Sequence, residues 1–372
     1  MIYHILPDNK FIDEFIEVSE QIKDCEVKYI VFNKSLDLKL VKSKLIYSVE
    51  TNFVFFEKIL KDSNKGDKIF LHGLDEDLNI VKLVGAKKID AKLYWIVWGA
   101  ELYNMLDFNV FSFYDYFIGG GDNIWKNFLV FWKMRLFERN RNRNNYELFL
   151  VKLSGIMHYN KYDIDLINKF YSTNIEMITF FYKNMIEWDS LSKYIDCKDT
   201  DSKNVLLGNS GYINNNHFSI LRKFKARKFK DYKINTPLSY GYSPYIKRLV
   251  NIGRKWLGDK FIPLMDFVQP ENYLEFLSKM SFVIMNHKRS QAMGNINILL
   301  ALGKPIFFNR KCTTTFFLKD LNVVFFYVED FFSSNPCELT LSSDQIISNR
   351  KIIKMTFSDE LFRENLINIY NR

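Results

Sequence analysis

Short apolar runs alternate with helix-length amphipathic stretches along most of the chain. In the first half, apolar runs of strand length lie at 2–6, 27–32, 68–71, 93–97, 155–159 and 177–181. In the second half, they lie at 204–207, 234–238, 261–264, 282–285, 305–308 and 323–327. Because segments long enough for helices separate the runs, the pattern predicts parallel sheets with helices on both faces.

Residues 197–203 separate the two halves. Their sequence, Cys-Lys-Asp-Thr-Asp-Ser-Lys, is polar and has no apolar period, which is typical of a linker. We predict an N-terminal Rossmann-like domain over 1–196, a C-terminal Rossmann-like domain over 204–342, and a helical segment over 343–372 that closes on the N-terminal domain. Two α/β domains that face a cleft describe the GT-B architecture of glycosyltransferases, although a fold alone does not determine a function.

The clearest local motif is a glycine-bearing loop directly after the run at 204–207. Gly208 and Gly211 give the backbone the freedom for a sharp turn, and Asn209 and Ser210 lie between them. A loop of this kind between a strand and a helix commonly binds phosphate, since backbone N–H groups and the helix dipole converge there. An ordinary turn is the alternative, because Gly and Asn are frequent in turns.

A second candidate phosphate segment follows the run at 282–285. Lys288 and Arg289 supply two cations, and Gly294 and Asn295 open a helix whose N-terminus would add backbone donors. A surface loop with solvated charges is the alternative interpretation. The predicted site would hold a nucleotide-sugar donor. Two tyrosines that could stack on its base, and a glutamate that could bind its sugar hydroxyls, complete the site. Its residues are Gly208, Asn209, Ser210, Tyr240, Tyr242, Glu271, Lys288, Arg289, Ser290, Gln291, Gly294 and Asn295.

The two tyrosines and the glutamate of this set have ordinary structural alternatives. Packing explains each of Tyr240 and Tyr242 as well as a ligand contact does. Glu271 follows Pro270, and a carboxylate at a helix start is favoured by the helix dipole alone.

Two residues that follow strand runs are candidate catalytic bases. Histidine has an unperturbed pKa near neutrality, which suits His72. Glu101 follows an aromatic pair, Trp95 and Trp98, and partial burial there would tune the basicity of a carboxylate. The alternatives are a histidine bonded to the backbone at a strand end and a carboxylate at a helix start. We slightly favour Glu101 as the base, with His72 contacting the acceptor or a phosphate.

Residues 107–146 are crowded with aromatic and basic side chains. An amphipathic helix of this composition suits contact with a membrane surface, where the rings lie at headgroup level and the cations meet anionic lipid. A helix that packs its aromatic face on the domain is an equally good interpretation. The predicted membrane or acceptor contacts are Trp125, Phe128, Trp132, Lys133 and Arg135.

Composition narrows the classes of partner. The net charge of +9, from 52 Lys+Arg and 43 Asp+Glu, favours a nucleotide, an anionic membrane surface or a nucleic acid. The 4 cysteines are widely spaced with no Cys-x-x-Cys, which predicts neither a zinc site nor a disulfide framework. The N-terminus resembles a first strand more than a secretion signal, and no apolar run has the length of a membrane-spanning helix. We therefore expect a cytoplasmic protein at the membrane surface.

Several motifs together resemble a known family of transferases. They are His72-Gly73, the segment 95–103 (Trp-Ile-Val-Trp-Gly-Ala-Glu-Leu-Tyr), Leu207–Gly211 with Asn216-His217, Tyr240-Gly241-Tyr242, and a longer stretch from Tyr273 to Arg310. In order and spacing the chain resembles the TDP-N-acetylfucosamine:lipid II N-acetylfucosaminyltransferases of enterobacterial common antigen synthesis, glycosyltransferase family 56. The family has Asp where this chain has Glu101, which keeps a carboxylate on a longer arm.

The resemblance implies a GT-B enzyme at the cytoplasmic face of the bacterial plasma membrane. Such an enzyme would transfer a deoxyaminosugar from a dTDP-sugar to a polyprenyl-diphosphate-linked saccharide, with no bound metal and no cofactor beyond the nucleotide-sugar. A UDP- or GDP-sugar transferase of the same fold is one alternative. A non-enzymatic protein that binds nucleic acid or polysaccharide is another, although the chain has no recognised nucleic-acid motif.

Overall fold

The computed structural model describes residues 1–75, 77–106, 114, 125, 129, 142–182, 188–195, 203–227 and 231–372. Contacts group these residues into two compact units. The first unit holds the described residues within Met1–Asp107, Asn140–Asn184 and Thr356–Arg372. The second holds those within Phe108–Arg139 and Met185–Met355. The sequence prediction placed the boundary later, at 197–203, and assigned the residues near Trp125 to the first domain.

Parallel strands form one sheet in the described part of the first unit. They are β1 (Ile2–Pro7), β2 (Val27–Phe32), β3 (Ile46–Glu50), β4 (Lys68–His72), β5 (Lys92–Ile96), β6 (Gly155–His158) and β7 (Met177–Thr179). Their order in the sheet is β3-β2-β1-β4-β5-β6-β7. The chain reverses its direction of travel across the sheet between β1 and β4, which is a topological switch point of a doubly wound fold.

Helices on both faces cover this sheet and bury its aliphatic and aromatic side chains. They are α1 (Ile12–Ile22), α2 (Val54–Asp62), α3 (Asn79–Ala86), α4 (Ala100–Met105), α5 (Arg143–Leu150) and α6 (Lys161–Tyr171). Trp95 on β5 is fully buried and meets Phe149 of α5 edge to face, with the ring centroids 5.9 Å apart. Such aromatic pairs fill the space between sheet and helices.

The second unit repeats the same plan. Its strands in the described residues are β8 (Asn204–Leu207), β9 (Lys233–Pro237), β10 (Phe261–Leu264), β11 (Phe282–Met285), β12 (Ile306–Phe308) and β13 (Phe326–Tyr327). They are parallel and lie in the order β10-β9-β8-β11-β12-β13, so the switch point falls between β8 and β11. Both candidate phosphate segments of the sequence therefore leave the sheet from neighbouring strands at this point.

Helices flank the second sheet as well. They are α7 (Trp188–Ser192), α8 (His217–Arg227), α9 (Ser243–Leu257), α10 (Pro270–Ser278), α11 (Met293–Ala301), α12 (Thr313–Asp320), α13 (Val328–Ser333) and α14 (Ser343–Thr356). The core is rich in phenylalanine: Phe224, Phe307 and Phe331 are almost completely buried. Phe331 meets Phe307 edge to face at 5.0 Å and Phe224 at 5.7 Å.

The C-terminal segment 343–372 divides between the units. The α14 helix belongs to the second unit, where Arg350 donates to the carbonyl of Ala301 at 2.8 Å. Ser358 then caps the last helix, α15 (Asp359–Asn371), by accepting a hydrogen bond from the N–H of Leu361. The α15 helix belongs to the first unit, where Tyr370 contacts His4.

A buried polar cluster ties three elements of the first unit together. The carboxylate of Asp163, at the start of α6, accepts from the hydroxyl of Tyr103 on α4 at 2.5 Å. Its other oxygen lies 2.9 Å from Nε2 of His158 on β6. Asp163 is fully buried, so both carboxylate oxygens depend on these partners.

We predict that Asp163→Ala lowers the free energy of unfolding by about 3 kcal/mol or more, because it leaves buried partners unsatisfied. Asp165→Ala, an exposed position on the same helix, is the control and should change it by less than about 0.5 kcal/mol. Urea denaturation measures both. Equal effects of the two substitutions would contradict the role given to the cluster.

Candidate active site

Gly208 begins the loop at the switch point of the second sheet. Its φ angle is +69°, in the left-handed region, and its N–H donates to the carbonyl of Ile284 on the neighbouring strand at 2.9 Å. A Cβ at this position would lie 2.7 Å from Nε2 of His217 and 2.9 Å from Oδ1 of Asn215. Glycine is therefore required here both by the backbone angle and by the close approach of two polar side chains.

Gly211 and Gly241 join this loop to the loop after β9. The N–H of Gly211 donates to the carbonyl of Tyr240 at 2.8 Å, and the N–H of Tyr242 donates to the carbonyl of Gly211 at 3.1 Å. A Cβ on Gly241 would lie 2.4 Å from the backbone of Gly211, so the two chains approach closely only because both residues are glycines. Tyr240 and Tyr242 are each 55% exposed and are available for stacking.

The two candidate phosphate segments are joined by the side chain of Gln291. Its amide nitrogen donates to Oδ1 of Asn209 at 3.0 Å and to Oδ1 of Asn215 at 3.2 Å. Asn215 in turn donates to the hydroxyl and the carbonyl of Ser210, each at 3.1 Å. Nε of Arg289 donates to the amide oxygen of Gln291 at 3.2 Å, which holds the guanidinium group beside the loop that starts at Gly208.

A second amide network lies beneath these loops. Asn216 and Asn286 each donate from their side chains to the other's backbone carbonyl, at 3.1 and 3.2 Å. Asn309, which follows β12, donates to Oδ1 of Asn286 at 2.9 Å. The ends of β8, β11 and β12 are thus held together by buried amide groups, which fixes the loops that they carry.

Ser290 connects the loop after β11 to the start of α12. Its hydroxyl lies 3.0 Å from that of Thr313 and accepts from Thr314 at 3.1 Å. Nearby, Lys288 is only 9% exposed, and its ammonium group donates to the carbonyl of Tyr114 at 3.1 Å. Helix α11 begins two residues after Gln291, so its free N–H groups and these cations share one edge of the sheet.

Two buried histidine nitrogens at this edge have no hydrogen-bond partner among the described residues. They are Nε2 of His217, whose Nδ1 bonds Tyr245 at 3.0 Å, and Nε2 of His287, whose Nδ1 contacts the carbonyl of Arg289 at 2.8 Å. Burial lowers the pKa of His217 to about 3 and that of His287 to about 4, so both rings are neutral near pH 7. A buried ring nitrogen of this kind is usually bonded to an ordered water, an ion or a polar ligand.

The remaining predicted donor residues lie on or beside two helix starts. Gly294 is in the first turn of α11, and a Cβ there would contact no atom of the described residues within 4 Å. Asn295 donates to the hydroxyl of Tyr273 on α10 at 3.2 Å, and burial raises the pKa of that tyrosine. Glu271 is exposed in the first turn of α10, the location that the dipole alone favours.

His72 lies at the carboxyl end of β4 in the first unit and is 3% exposed. Both of its ring nitrogens are engaged: Nδ1 lies 2.5 Å from the hydroxyl of Tyr182, and Nε2 lies 2.8 Å from Nδ1 of His4. Burial lowers the pKa of His72 well below its ordinary value, with a smaller contribution from His4. Both ring nitrogens of His72 are therefore occupied by Tyr182 and His4 in this structure.

Glu101 lies in the first turn of α4, and its carboxylate accepts from the N–H of Trp98 at 2.5 Å. The carboxylate also acts on Tyr182: burial raises the pKa of that tyrosine, and the negative charge of Glu101 raises it further. The indole of Trp98 packs 5.1 Å from the Tyr182 ring. The structure therefore brings both candidate bases, Glu101 and His72, to Tyr182 at the carboxyl edge of the first sheet.

The predicted membrane or acceptor segment is only partly described. Trp125 is helical and 76% exposed. Phe128, Trp132, Lys133 and Arg135 lie outside the described residues. No helix in the described part of the chain is both long and apolar enough to cross a bilayer.

Sequence reasoning missed residues that act through long-range contacts. Tyr182, His4 and Tyr370 carried no motif, although a polar residue in an apolar strand, such as His4, is a usable signal. Asn215 was not among the predicted site residues, yet its side chain organises the loop that starts at Gly208. His217 and His287 were not among the predicted site residues, yet each has a buried nitrogen with no hydrogen-bond partner among the described residues.

A family profile described as "4-alpha-L-fucosyltransferase glycosyl transferase group 56" matches residues 125–364, well over half of the chain. The chain belongs to this family. The match confirms the resemblance inferred from the sequence motifs and shows that the protein is a glycosyltransferase. Within the described residues, no three His, Cys, Asp or Glu side chains are grouped so that they could hold a metal ion.

Solved structures show the same fold at low sequence identity. The trehalose 6-phosphate synthase of Burkholderia multivorans aligns with a TM-score of 0.60 and 7% identity, covering 100% of this chain and 96% of that one. WaaG, a glycosyltransferase involved in lipopolysaccharide biosynthesis, aligns with a TM-score of 0.57 and 9% identity, covering 100% of this chain and 99% of that one. The predicted GT-B fold with two parallel sheets is confirmed.

We predict that Gly208→Ala lowers the free energy of unfolding by about 1–3 kcal/mol, because of its left-handed backbone and the contact with His217. Gly294→Ala, in a helical turn with open space in front of it, should change this energy by less than about 1 kcal/mol. Chemical denaturation followed by circular dichroism compares them. Equal stability of Gly208→Ala and Gly294→Ala would contradict the requirement for glycine at position 208.

Proposed function

We propose that the protein transfers a deoxyaminosugar, similar to 4-acetamido-4,6-dideoxygalactose, from a dTDP-sugar to a polyprenyl-diphosphate-linked saccharide. The reaction would serve surface polysaccharide synthesis, such as that of O-antigen or common antigen. The family assignment supports the glycosyl transfer, and the sequence motifs support the donor and acceptor. The enzyme would act at the inner face of the bacterial plasma membrane without a metal or a further cofactor.

The observation that carries the donor site is the joining of the two loops by Gln291. These loops leave β8 and β11 at the switch point, where doubly wound sheets bind nucleotides. Arg289 is oriented by Gln291, and the first turn of α11 follows directly. A donor diphosphate held here would receive charge-assisted hydrogen bonds and backbone donors. Both stabilise the negative charge that develops on the leaving nucleotide diphosphate.

The other predicted donor residues have roles that follow from their exposure. The half-exposed rings of Tyr240 and Tyr242 would stack on the thymine base or border the sugar. The unpaired nitrogens of His217, at the start of α8, and His287, in the loop after β11, would bond polar groups of the ligand. Glu271, which is exposed at the start of α10, would bind a ribose or sugar hydroxyl.

The acceptor hydroxyl would be deprotonated at the carboxyl edge of the first sheet. Glu101 could take the proton directly, or His72 could take it through the hydroxyl of Tyr182. General bases contribute about 10²–10⁴-fold to such reactions. The aromatic and basic residues that include Trp125 would hold the lipid-linked acceptor at an anionic membrane surface.

We predict that calorimetric titration in EDTA shows tight binding of dTDP and much weaker binding of UDP and GDP. Arg289→Ala should weaken dTDP binding about tenfold or more, since it removes a charged contact to the diphosphate. Lys255→Ala, an exposed cation at the end of α9, is the control and should leave the affinity unchanged. Tighter binding of UDP or GDP than of dTDP would instead indicate a UDP- or GDP-sugar as the donor of an enzyme with the same fold. Absence of binding to all three, in folded protein, would contradict the proposed donor site.

Membrane association is tested separately with liposomes. We expect the protein to sediment with vesicles that contain anionic phospholipid and to stay in solution with neutral vesicles. Raising the salt concentration should release it, because the attraction is electrostatic and screened. Equal binding to neutral and anionic vesicles, or to neither, would contradict the peripheral location.

A further inference from the structure

Seven polar side chains in the first unit are hydrogen-bonded in series. They link the carboxyl edge of the sheet to the outer face of α1. In order they are Tyr182, His72, His4, Tyr370, Ser19, Tyr29 and Glu20. We call them the Tyr182–Glu20 chain.

The inner links of the Tyr182–Glu20 chain are short and run through two buried histidine rings. The hydroxyl of Tyr182 lies 2.5 Å from Nδ1 of His72, Nε2 of His72 lies 2.8 Å from Nδ1 of His4, and Nε2 of His4 lies 2.8 Å from the hydroxyl of Tyr370. Both histidines are at most 3% exposed. Burial lowers the pKa of His4 to about 3, so near pH 7 each ring is neutral and carries a single N–H.

The outer links reach the surface at a carboxylate. The hydroxyl of Ser19 lies 2.5 Å from that of Tyr370 and 2.5 Å from that of Tyr29. Tyr29 donates to Oε1 of Glu20 at 3.0 Å, and Oε2 of Glu20 pairs with the ammonium group of Lys23 at 2.7 Å. The side chain of Glu20 is 23% exposed, so this end of the Tyr182–Glu20 chain can exchange protons with water.

The carboxylate determines the direction of every hydrogen bond in the outer half. A glutamate carboxylate is ionised at neutral pH and can only accept, so Tyr29 must donate to Glu20. Each hydroxyl has one proton. Ser19 must therefore donate to Tyr29, and Tyr370 must donate to Ser19.

The same reasoning determines the histidine tautomers. Tyr370 donates its only hydroxyl proton to Ser19, so its oxygen must accept from Nε2–H of His4. Nδ1 of His4 is then an acceptor. His72 must then carry its proton on Nε2, and its Nδ1 accepts from Tyr182. Every donor in the Tyr182–Glu20 chain points toward Glu20.

We propose that the Tyr182–Glu20 chain is a proton relay that removes the proton of the acceptor hydroxyl. The proposal rests on the proposed function and names the route by which His72 acts. Tyr182 follows β7 at the carboxyl edge of the sheet and lies beside Trp98, where the candidate base Glu101 influences it.

The transfer balances at each link. The oxygen of Tyr182 takes the proton of the substrate hydroxyl and passes its own proton to Nδ1 of His72. Nε2–H of His72 moves to Nδ1 of His4, and Nε2–H of His4 moves to the oxygen of Tyr370. The hydroxyl protons of Tyr370, Ser19 and Tyr29 each shift by one link. Glu20 becomes a neutral carboxylic acid, and the substrate oxygen becomes the nucleophile; Glu20 then releases its proton to water.

Nitrogen-15 NMR of the ligand-free protein tests the direction of the chain. The protein has 5 histidines, so selectively labelled rings give few signals. Tyr182→Phe and Tyr370→Phe each remove the hydroxyl bonded to one ring and so assign His72 and His4. We expect both rings to be neutral Nε2–H tautomers near pH 7. An Nδ1–H tautomer at either position, or a charged ring, would overturn the relay.

Kinetics test the far end of the chain. Glu20→Gln should lower kcat about tenfold with unchanged KM, because the terminal proton acceptor is lost. Glu17→Gln removes the same charge from an exposed position on α1 and should leave kcat unchanged. Equal kcat in the two variants would overturn the relay. A wild-type protein that transfers no sugar from any nucleotide would instead overturn the proposed function, whereas the tautomers read by NMR do not depend on turnover.

Discussion

The amide group of Gln291 is the contact on which the candidate donor site depends. It donates to Asn209 and to Asn215, and its oxygen accepts from Arg289. One side chain therefore fixes the loop after β8, the loop after β11 and the orientation of a cation. Each bond contributes only about 1 kcal/mol on balance, but a partner left unsatisfied in this buried setting costs about 1–3 kcal/mol. The loops are thus held in one arrangement before a ligand arrives, which reduces the cost of ordering them on binding.

The two units differ in how far their buried polar groups are hydrogen-bonded. In the second unit, amide side chains hold the loops while two neutral histidine nitrogens stay unpaired at the switch point. In the first unit, His4 and His72 are fully paired, and a surface carboxylate sets the direction of their hydrogen bonds. Buried polar groups are tolerated only when they are satisfied, so the paired set gives rigidity and the unpaired set indicates a ligand.

Periodicity was sufficient to predict the doubly wound halves, and the bounds of β8, β10 and β11 agree with the apolar runs. It missed β3, which lies at the edge of its sheet and mixes polar and apolar residues, so that no clear run exists. The glycine loops were found because their conformational demand is local. The partners of His72 were not found, since His4 and Tyr182 are 68 and 110 residues away from it in sequence and meet it only through the fold. Local chemistry was predictable, whereas contacts between distant segments were not.

A crystal structure of the protein with dTDP would test the central claim most directly. The account predicts that the diphosphate lies between the loops after β8 and β11, within hydrogen-bond distance of Arg289 and the first turn of α11. The thymine base should lie near Tyr240 or Tyr242. A diphosphate bound elsewhere in the second unit, with the Gln291 contacts unchanged and their loops empty, would contradict it.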